Sequence, residues 1–202
     1  RYLEHTGKLR CRESAGFLSI CEGIGAAFLI GGEVFRGAHI LSGEIGHLTV
    51  RKDGIPCSCG NTGCLELYCS DIGIVKQYNA QGDGGCRRVE EVLRLMEEND
   101  PVARKVFFKA VGYLVDTIFT IILNHDPREL LIYCTWLSRQ RVYFFRMLDA
   151  LHERSTFTRR HTVDIRLMEE EPVNLPAAAA LAALTLLFRK GSRLMAALEE
   201  AP

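Results

Sequence analysis

The sequence lacks an excess of charge of either sign, and it lacks a long apolar run. Its 202 residues include 25 basic and 25 acidic side chains, so nothing supplies the basic field that nucleic-acid binding needs. The longest apolar stretch, residues 111–123, is interrupted by Asp116 and is shorter than the roughly 18–20 residues of a membrane span. We therefore expect no membrane span and no direct contact between this chain and DNA.

The N-terminus lacks an initiator methionine and shows no signal-peptide pattern. Residues 1–12 are typical of the end of a helix followed by a linker. We therefore expect the sequence to be a fragment that lacks an N-terminal portion.

The eight cysteines do not form the pattern of a small disulfide-linked domain, for which the chain is too long and too rich in predicted helix. Three of them lie within eight residues, and the others are scattered, mostly in or beside apolar stretches: Cys11, Cys21, Cys69, Cys86 and Cys134. Scattered cysteines of this kind are small core residues in a reducing compartment. The pattern therefore predicts a cytoplasmic protein.

Apolar spacing predicts an antiparallel meander followed by alternating helices and strands. In the first part, strands are expected over 15–20, 26–30, 34–36 and 44–51, with Gly31-Gly32 as a hairpin turn. Further strands are expected over 129–134 and 162–167, and helices over 65–78, 88–98, 102–123, 139–154, 175–189 and 194–198. This order predicts an α/β fold with a mixed sheet.

A cluster of potential metal ligands follows the meander: His47, Cys57, Cys59 and Cys64. Zinc in a closed structural site takes about four thiolate or imidazole ligands, and nearby glycines such as Gly60 let a short loop surround an ion. The spacing differs from the usual zinc knuckle. Two alternatives therefore remain: cysteines that are near one another by chance, and a redox pair activated by Arg51 or Lys52.

The cluster belongs to a longer pattern that resembles the signature of the ROK family (repressor, open reading frame, kinase). The pattern comprises residues 43–47, Gly54, 57–61 and 63–66. Similarity extends to 17–37, 123–132 and 176–183. The resemblance implies a zinc site. It also implies an actin-like, ribonuclease-H-like fold in which residues 1–202 form the C-terminal lobe, and a sugar bound between the two lobes.

The same resemblance implies that Glu44, His47 and Glu66 contact sugar hydroxyls. Carboxylates form strong, charge-assisted hydrogen bonds with hydroxyl groups, and a histidine bound to metal keeps its second ring nitrogen for another partner. The alternative is that Glu44 and Glu66 are solvated surface charges.

Three features of the family's kinases are missing. The Asn-Asp pair that carries the catalytic base has no counterpart here, since Asn99-Asp100 is typical of a helix cap. The phosphate loop carries Glu22, whose charge would repel phosphate. In place of a triple-glycine turn stand Tyr133 and Trp136, which would fill the adenosine site, although Trp136 could alternatively pack against a base.

Loss of these features resembles the repressor members of the family. The expected function is therefore the effector-binding and oligomerisation part of a ROK-type transcriptional regulator, without catalysis. Its expected partners are a sugar or sugar phosphate and a second copy of the chain, in a dimer or tetramer, with DNA bound only through a missing N-terminal domain. The alternatives are a sugar or amino-sugar kinase with an atypical nucleotide site, and a protein-interaction domain with a vestigial sugar pocket.

Overall fold

A five-stranded mixed sheet forms the centre of the structure, a computed structural model that describes residues 9–11, 13–39, 41–82 and 84–169. The strands are β1 (Ser14–Ile20), β2 (Ile24–Ile30), β3 (Glu33–Phe35), β4 (Glu129–Cys134) and β5 (Asp164–Met168), in the order β3-β2-β1-β4-β5. β1, β2 and β3 pair antiparallel, whereas β4 is parallel to both β1 and β5. The mixed sheet is confirmed, and so are the first three strands of the predicted meander.

Seven helices accompany the sheet within the described residues. They are α1 (Glu66–Cys69), α2 (Asp71–Asn79), α3 (Val89–Glu97), α4 (Pro101–His125), α5 (Thr135–Arg139), α6 (Arg141–Glu153) and α7 (Thr156–Arg160). The helix predicted over 65–78 is divided at Ser70, whose hydroxyl accepts a hydrogen bond from the Gly73 N–H and starts α2 anew. The helices predicted over 175–189 and 194–198 lie outside the described residues.

The long helix α4 lies in the core. Asp100 caps its N-terminus by accepting a hydrogen bond from the Ala103 N–H at 2.6 Å, and Pro101 occupies the first turn. The helix is long and apolar enough to cross a membrane, with a mean hydropathy of 1.9, but half of that stretch is buried inside the protein. Such burial is typical of a core helix.

The strand predicted over 44–51 is wrong. A single 3-10 turn, Ile45–His47, occupies its first half. The second half pairs with the chain that precedes α1, since the Leu65 N–H donates to the Leu48 carbonyl and the Val50 N–H to the Gly63 carbonyl, both at 2.9 Å. The apolar alternation of Leu48 and Val50 therefore indicates local extended pairing and not a further strand of the sheet.

A buried ion pair holds the end of the sheet opposite the β1–β2 turn. Glu129, at the start of β4, is 1% exposed and forms a salt bridge with Arg166 of β5. Its other carboxylate oxygen accepts a hydrogen bond from the Cys11 N–H at 2.9 Å, just before β1. One carboxylate thus joins β4 to β5 and to the chain that enters β1.

Candidate zinc and effector site

Four side chains with metal-ligand chemistry meet beside the start of α1: His47, Cys57, Cys59 and Cys64. One ligand atom from each lies within 4.8 Å of the others. The Cys57 Sγ is 3.7 Å from the His47 Nδ1, and the Cys59 Sγ is 3.7 Å from the Cys64 Sγ. The structure thus brings together all four residues named from the sequence, while zinc binding itself stays a prediction.

These separations fit a tetrahedral zinc ion. Zn–S bonds of about 2.3 Å and Zn–N bonds of about 2.0 Å place two ligand sulfurs about 3.8 Å apart, and a sulfur and a nitrogen about 3.5 Å apart. Both 3.7 Å separations agree with this geometry to within about 0.2 Å. Three cysteines and one histidine are also the donor set of a closed structural zinc site.

Local hydrogen bonds shape the metal loop, which we define as residues 51–63. Pro56 and Thr62 form an isolated bridge, and inside it the Cys57 N–H donates to the Asn61 carbonyl at 2.8 Å. The Asn61 side chain donates to the His47 carbonyl at 3.2 Å. The loop is therefore folded back on itself and tied to the segment that carries the histidine.

The thiols differ in acidity. The Cys59 backbone N–H beside the Cys57 sulfur lowers the pKa of Cys57 to about 6, with smaller contributions from the neighbouring thiols and from His47. Burial, with smaller contributions from the other two cysteines, raises the pKa of Cys64 to about 12. The protein alone therefore stabilises one thiolate well and opposes a second, so a bound divalent cation is what would stabilise all three.

The three residues expected to contact sugar all border the start of β2. Glu44 is exposed and precedes the 3-10 turn, and His47 ends that turn half-buried. The turn lies so close to β2 that a Cβ at Gly46 would be 2.5 Å from the Ile24 carbonyl oxygen. The His47 Nδ1 faces Cys57, which leaves its Nε2 for another partner.

Glu66 is half-buried, and its role is more than that of a solvated charge. Its Oε2 accepts a hydrogen bond from the Ile24 N–H at 3.1 Å. The carboxylate thereby ties the first turn of α1 to the β1–β2 turn. Zinc ligands and expected sugar contacts also adjoin in the chain, since Glu66 follows Cys64 by two residues and His47 belongs to both sets.

Near the ends of β1 and β4, where the resemblance implies the nucleotide site of a kinase, lie an acidic turn and a buried tryptophan. Glu22 is exposed in the β1–β2 turn. Trp136 is fully buried: its Nε1–H donates to the Cys69 carbonyl at 2.9 Å, and its ring packs edge-on against Phe107 at 5.4 Å. Trp136 therefore belongs to the core, and the alternative that it packs against a base is wrong.

Sequence reasoning missed Asp71 at this end of the sheet. The Thr135 hydroxyl, just after β4, donates a hydrogen bond to the Asp71 carboxylate. Burial raises the pKa of Asp71, and the charges of Glu90 and Glu22 raise it further. Asp71, Glu22 and Glu90 line an open cavity of about 490 Å³ together with Lys76, Arg87 and Arg88. Asp71 escaped notice because an acidic residue in the first turn of a helix is usual.

Comparison with known proteins identifies relatives of two kinds. The model of the ROK family matches residues 7–167. The chain is 40% identical over 127 residues to the xylose repressor of Bacillus subtilis (strain 168), covering 62% of this chain and 32% of that protein. It is also 40% identical over 60 residues to a glucokinase of Halalkalibacterium halodurans, covering 29% of this chain and 18% of that protein. The chain thus spans about a third or less of the length of these curated relatives.

Solved structures share the fold. A ROK hexokinase from Thermus thermophilus superposes with a TM-score of 0.66 at 26% identity, covering 77% of this chain and 51% of that one. A ROK family transcriptional regulator, a homolog of the E. coli MLC protein, gives a TM-score of 0.63 at 26% identity, with 81% and 42% covered. These matches confirm the α/β, actin-like fold expected from the resemblance.

Proposed function

Because the chain belongs to the ROK family, we propose that it is the zinc-containing, sugar-binding C-terminal lobe of a cytoplasmic transcriptional regulator. In this proposal the lobe comprises residues 1–202, a first lobe completes the sugar site, and a separate N-terminal segment binds DNA. The lobe also contributes to a dimer or tetramer. The xylose repressor of Bacillus subtilis, at 40% identity, makes an aldose such as D-xylose the first effector to test.

The observation that carries this choice is the negative charge at the end of β1. Glu22 lies in the turn where a kinase would bind phosphate, and the charges of Glu22 and Glu90 help to raise the pKa of nearby Asp71. Burial is the largest cause of that raised pKa, and the basic side chains of Lys76, Arg87 and Arg88 line the same cavity. What disfavours phosphate is therefore the exposed Glu22 carboxylate in the turn itself, since phosphoryl transfer needs positive charge around the phosphates.

Zinc would have a structural role in this protein. His47, Cys57, Cys59 and Cys64 would hold it, and the bound ion would stabilise a loop that has few buried apolar residues. Cys64 is two residues from Glu66, and His47 is three residues from Glu44. A zinc ion bound to Cys64 and His47 would therefore also hold in place Glu66 and Glu44, the two carboxylates expected to bind the sugar.

Glu66 can serve both structure and ligand. Its Oε2 is held by the Ile24 N–H at 3.1 Å, so Oε1 is the atom offered to a sugar hydroxyl. In a Glu66→Gln variant the amide oxygen can keep the bond to Ile24. The amide nitrogen then donates where the carboxylate accepted, so the variant alters the sugar contact selectively.

A second function, sugar phosphorylation, is favoured by the 40% identity over 60 residues to a glucokinase. The test uses the protein produced from the complete coding sequence, with DNA fragments selected from its genome by binding. A regulator releases bound DNA when D-xylose or another aldose is added, and its ATP turnover with the same sugars stays at background. Sugar-dependent ATP turnover would instead identify a kinase. If neither DNA release nor ATP turnover is observed, the protein-interaction domain remains as the interpretation.

A further inference from the structure

Two packed tyrosine rings lie beneath the metal loop. Tyr68 of α1 is 5% exposed, and its ring centroid is 5.2 Å from that of Tyr113 of α4, at an interplanar angle of 56°. Burial raises the pKa of the Tyr113 phenol, and the nearby Arg51 guanidinium, at the start of the loop, lowers it. The loop therefore begins beside Tyr68, which belongs to the core, and Tyr113, which is partly buried and packs against it.

The Tyr68 hydroxyl contacts the backbone of the loop directly. It accepts a hydrogen bond from the Ile55 N–H at 3.0 Å. The Ile55 carbonyl in turn accepts a hydrogen bond from the Gly63 N–H at 2.8 Å, so the two sides of the loop are joined beside the Tyr68 hydroxyl. Cys57 follows Ile55 by two residues, and Cys64 follows Gly63 by one.

Gly54 permits this close approach. A Cβ at that position would be 2.4 Å from the Tyr68 hydroxyl oxygen and 2.7 Å from the Gly63 Cα. Any larger residue would push the loop away from the hydroxyl.

We propose that Tyr68 is a positioning residue for the metal site. Its hydroxyl fixes the backbone at Ile55, and this brings Cys57 and Cys59 to an ion held by His47 and Cys64. The inference rests on the zinc binding proposed above. Residues that orient metal ligands without touching the metal contribute about 10- to 100-fold to metal affinity.

The test compares zinc affinity in two tyrosine variants of the full chain. Tyr68→Phe removes one oxygen and keeps the packed ring. Tyr143→Phe, the control, makes the same change on α6, where the ring packs against Phe107. Competition with a chromophoric chelator should give a zinc dissociation constant raised about tenfold for Tyr68→Phe and unchanged for the control. The cobalt-substituted Tyr68→Phe protein should also show a weakened tetrahedral d–d absorption, which a merely structural role would not change.

Gly54→Ala provides a second variant in which Tyr68 is intact, but the new Cβ displaces the loop from the Tyr68 hydroxyl and from the Gly63 backbone, and it should weaken zinc binding at least as much. The inference is overturned if Tyr68→Phe binds zinc within twofold of the affinity of the unsubstituted protein. If Tyr68→Phe does not fold, the same result in Gly54→Ala overturns it. An equal loss in Tyr143→Phe also overturns it. If the unsubstituted protein binds no zinc, the metal assignment and this inference fall together. If the unsubstituted protein binds zinc and Tyr68→Phe binds it equally well, only the proposed role of Tyr68 is wrong.

Discussion

Replacing Cys59 by serine separates metal binding from packing. Cys59 is exposed, whereas Cys64 is 0% exposed, so the Cys59→Ser change removes a ligand with little loss of buried contacts. Residues that only orient metal ligands contribute up to about 100-fold to metal affinity, so the loss of a ligand itself should lower zinc affinity by at least that factor. At zinc concentrations of about 1,000 times the original dissociation constant, zinc stabilises the folded protein by about 4.1 kcal/mol. After a 100-fold loss of affinity this falls to about 1.4 kcal/mol.

The difference of about 2.7 kcal/mol corresponds to a Tm about 5–10 °C lower in zinc for a domain of this size. Differential scanning calorimetry with and without zinc, with metal content by mass spectrometry, measures the effect. Cys11→Ser is the matched control, because Cys11 is half-buried and outside the ligand cluster. The Cys59→Ser protein should show a reduced zinc-induced rise in Tm and reduced zinc content, and both should be normal in the control. A full zinc content and an unchanged rise in Cys59→Ser would refute the assignment of Cys59 as a ligand.

Three further predictions concern stability. Arg166→Met removes the salt bridge to buried Glu129, and urea denaturation should show a loss of about 3 kcal/mol in the free energy of unfolding; a loss below about 1 kcal/mol would contradict this prediction. His125 stacks on Phe28, and burial lowers its pKa. Its contribution to stability is therefore present above the unfolded-state pKa of about 6.5 and is lost as pH falls below that value. The His125→Gln variant should therefore lose less unfolding free energy than the unsubstituted protein between about pH 6.5 and 5. An equal loss in the two proteins would count against this prediction. Because the pKa of Asp71 is raised, Asp71→Asn, which keeps the acceptor for Thr135, should raise the Tm at pH 7, whereas a lowered Tm would show that the ionised form is favoured.

Much of the fold could be predicted because its strands carry a simple signal. β4 matches its predicted range, residues 129–134, since Asp126-Pro127 ends the preceding helix and residues 130–134 are continuously apolar. The segment 44–51 shows where that signal fails. Its alternation of Leu48 and Val50 is real, but the partner is the chain beside a metal loop, and periodicity does not identify the partner of an extended segment.

The candidate site divides in a similar way. The ligand types of His47, Cys57, Cys59 and Cys64 suggested a metal cluster, and the resemblance to the ROK signature made that cluster the prediction over its alternatives. The roles of Tyr68 and Asp71 could not be predicted. Each depends on a contact with a residue more than ten positions away, Ile55 in one case and Thr135 in the other. Nothing in the local sequence specifies such contacts.

Calorimetric titration of an aldose into the zinc-loaded protein from the complete coding sequence tests the central claim most directly. D-xylose should bind the unsubstituted protein, and Glu66→Gln should bind it at least tenfold more weakly while keeping its zinc, because a lost charged hydrogen bond costs about 1.5–3 kcal/mol. Equal affinity in both proteins, or simultaneous loss of zinc in the variant, would contradict the account and make Glu66 a structural residue alone.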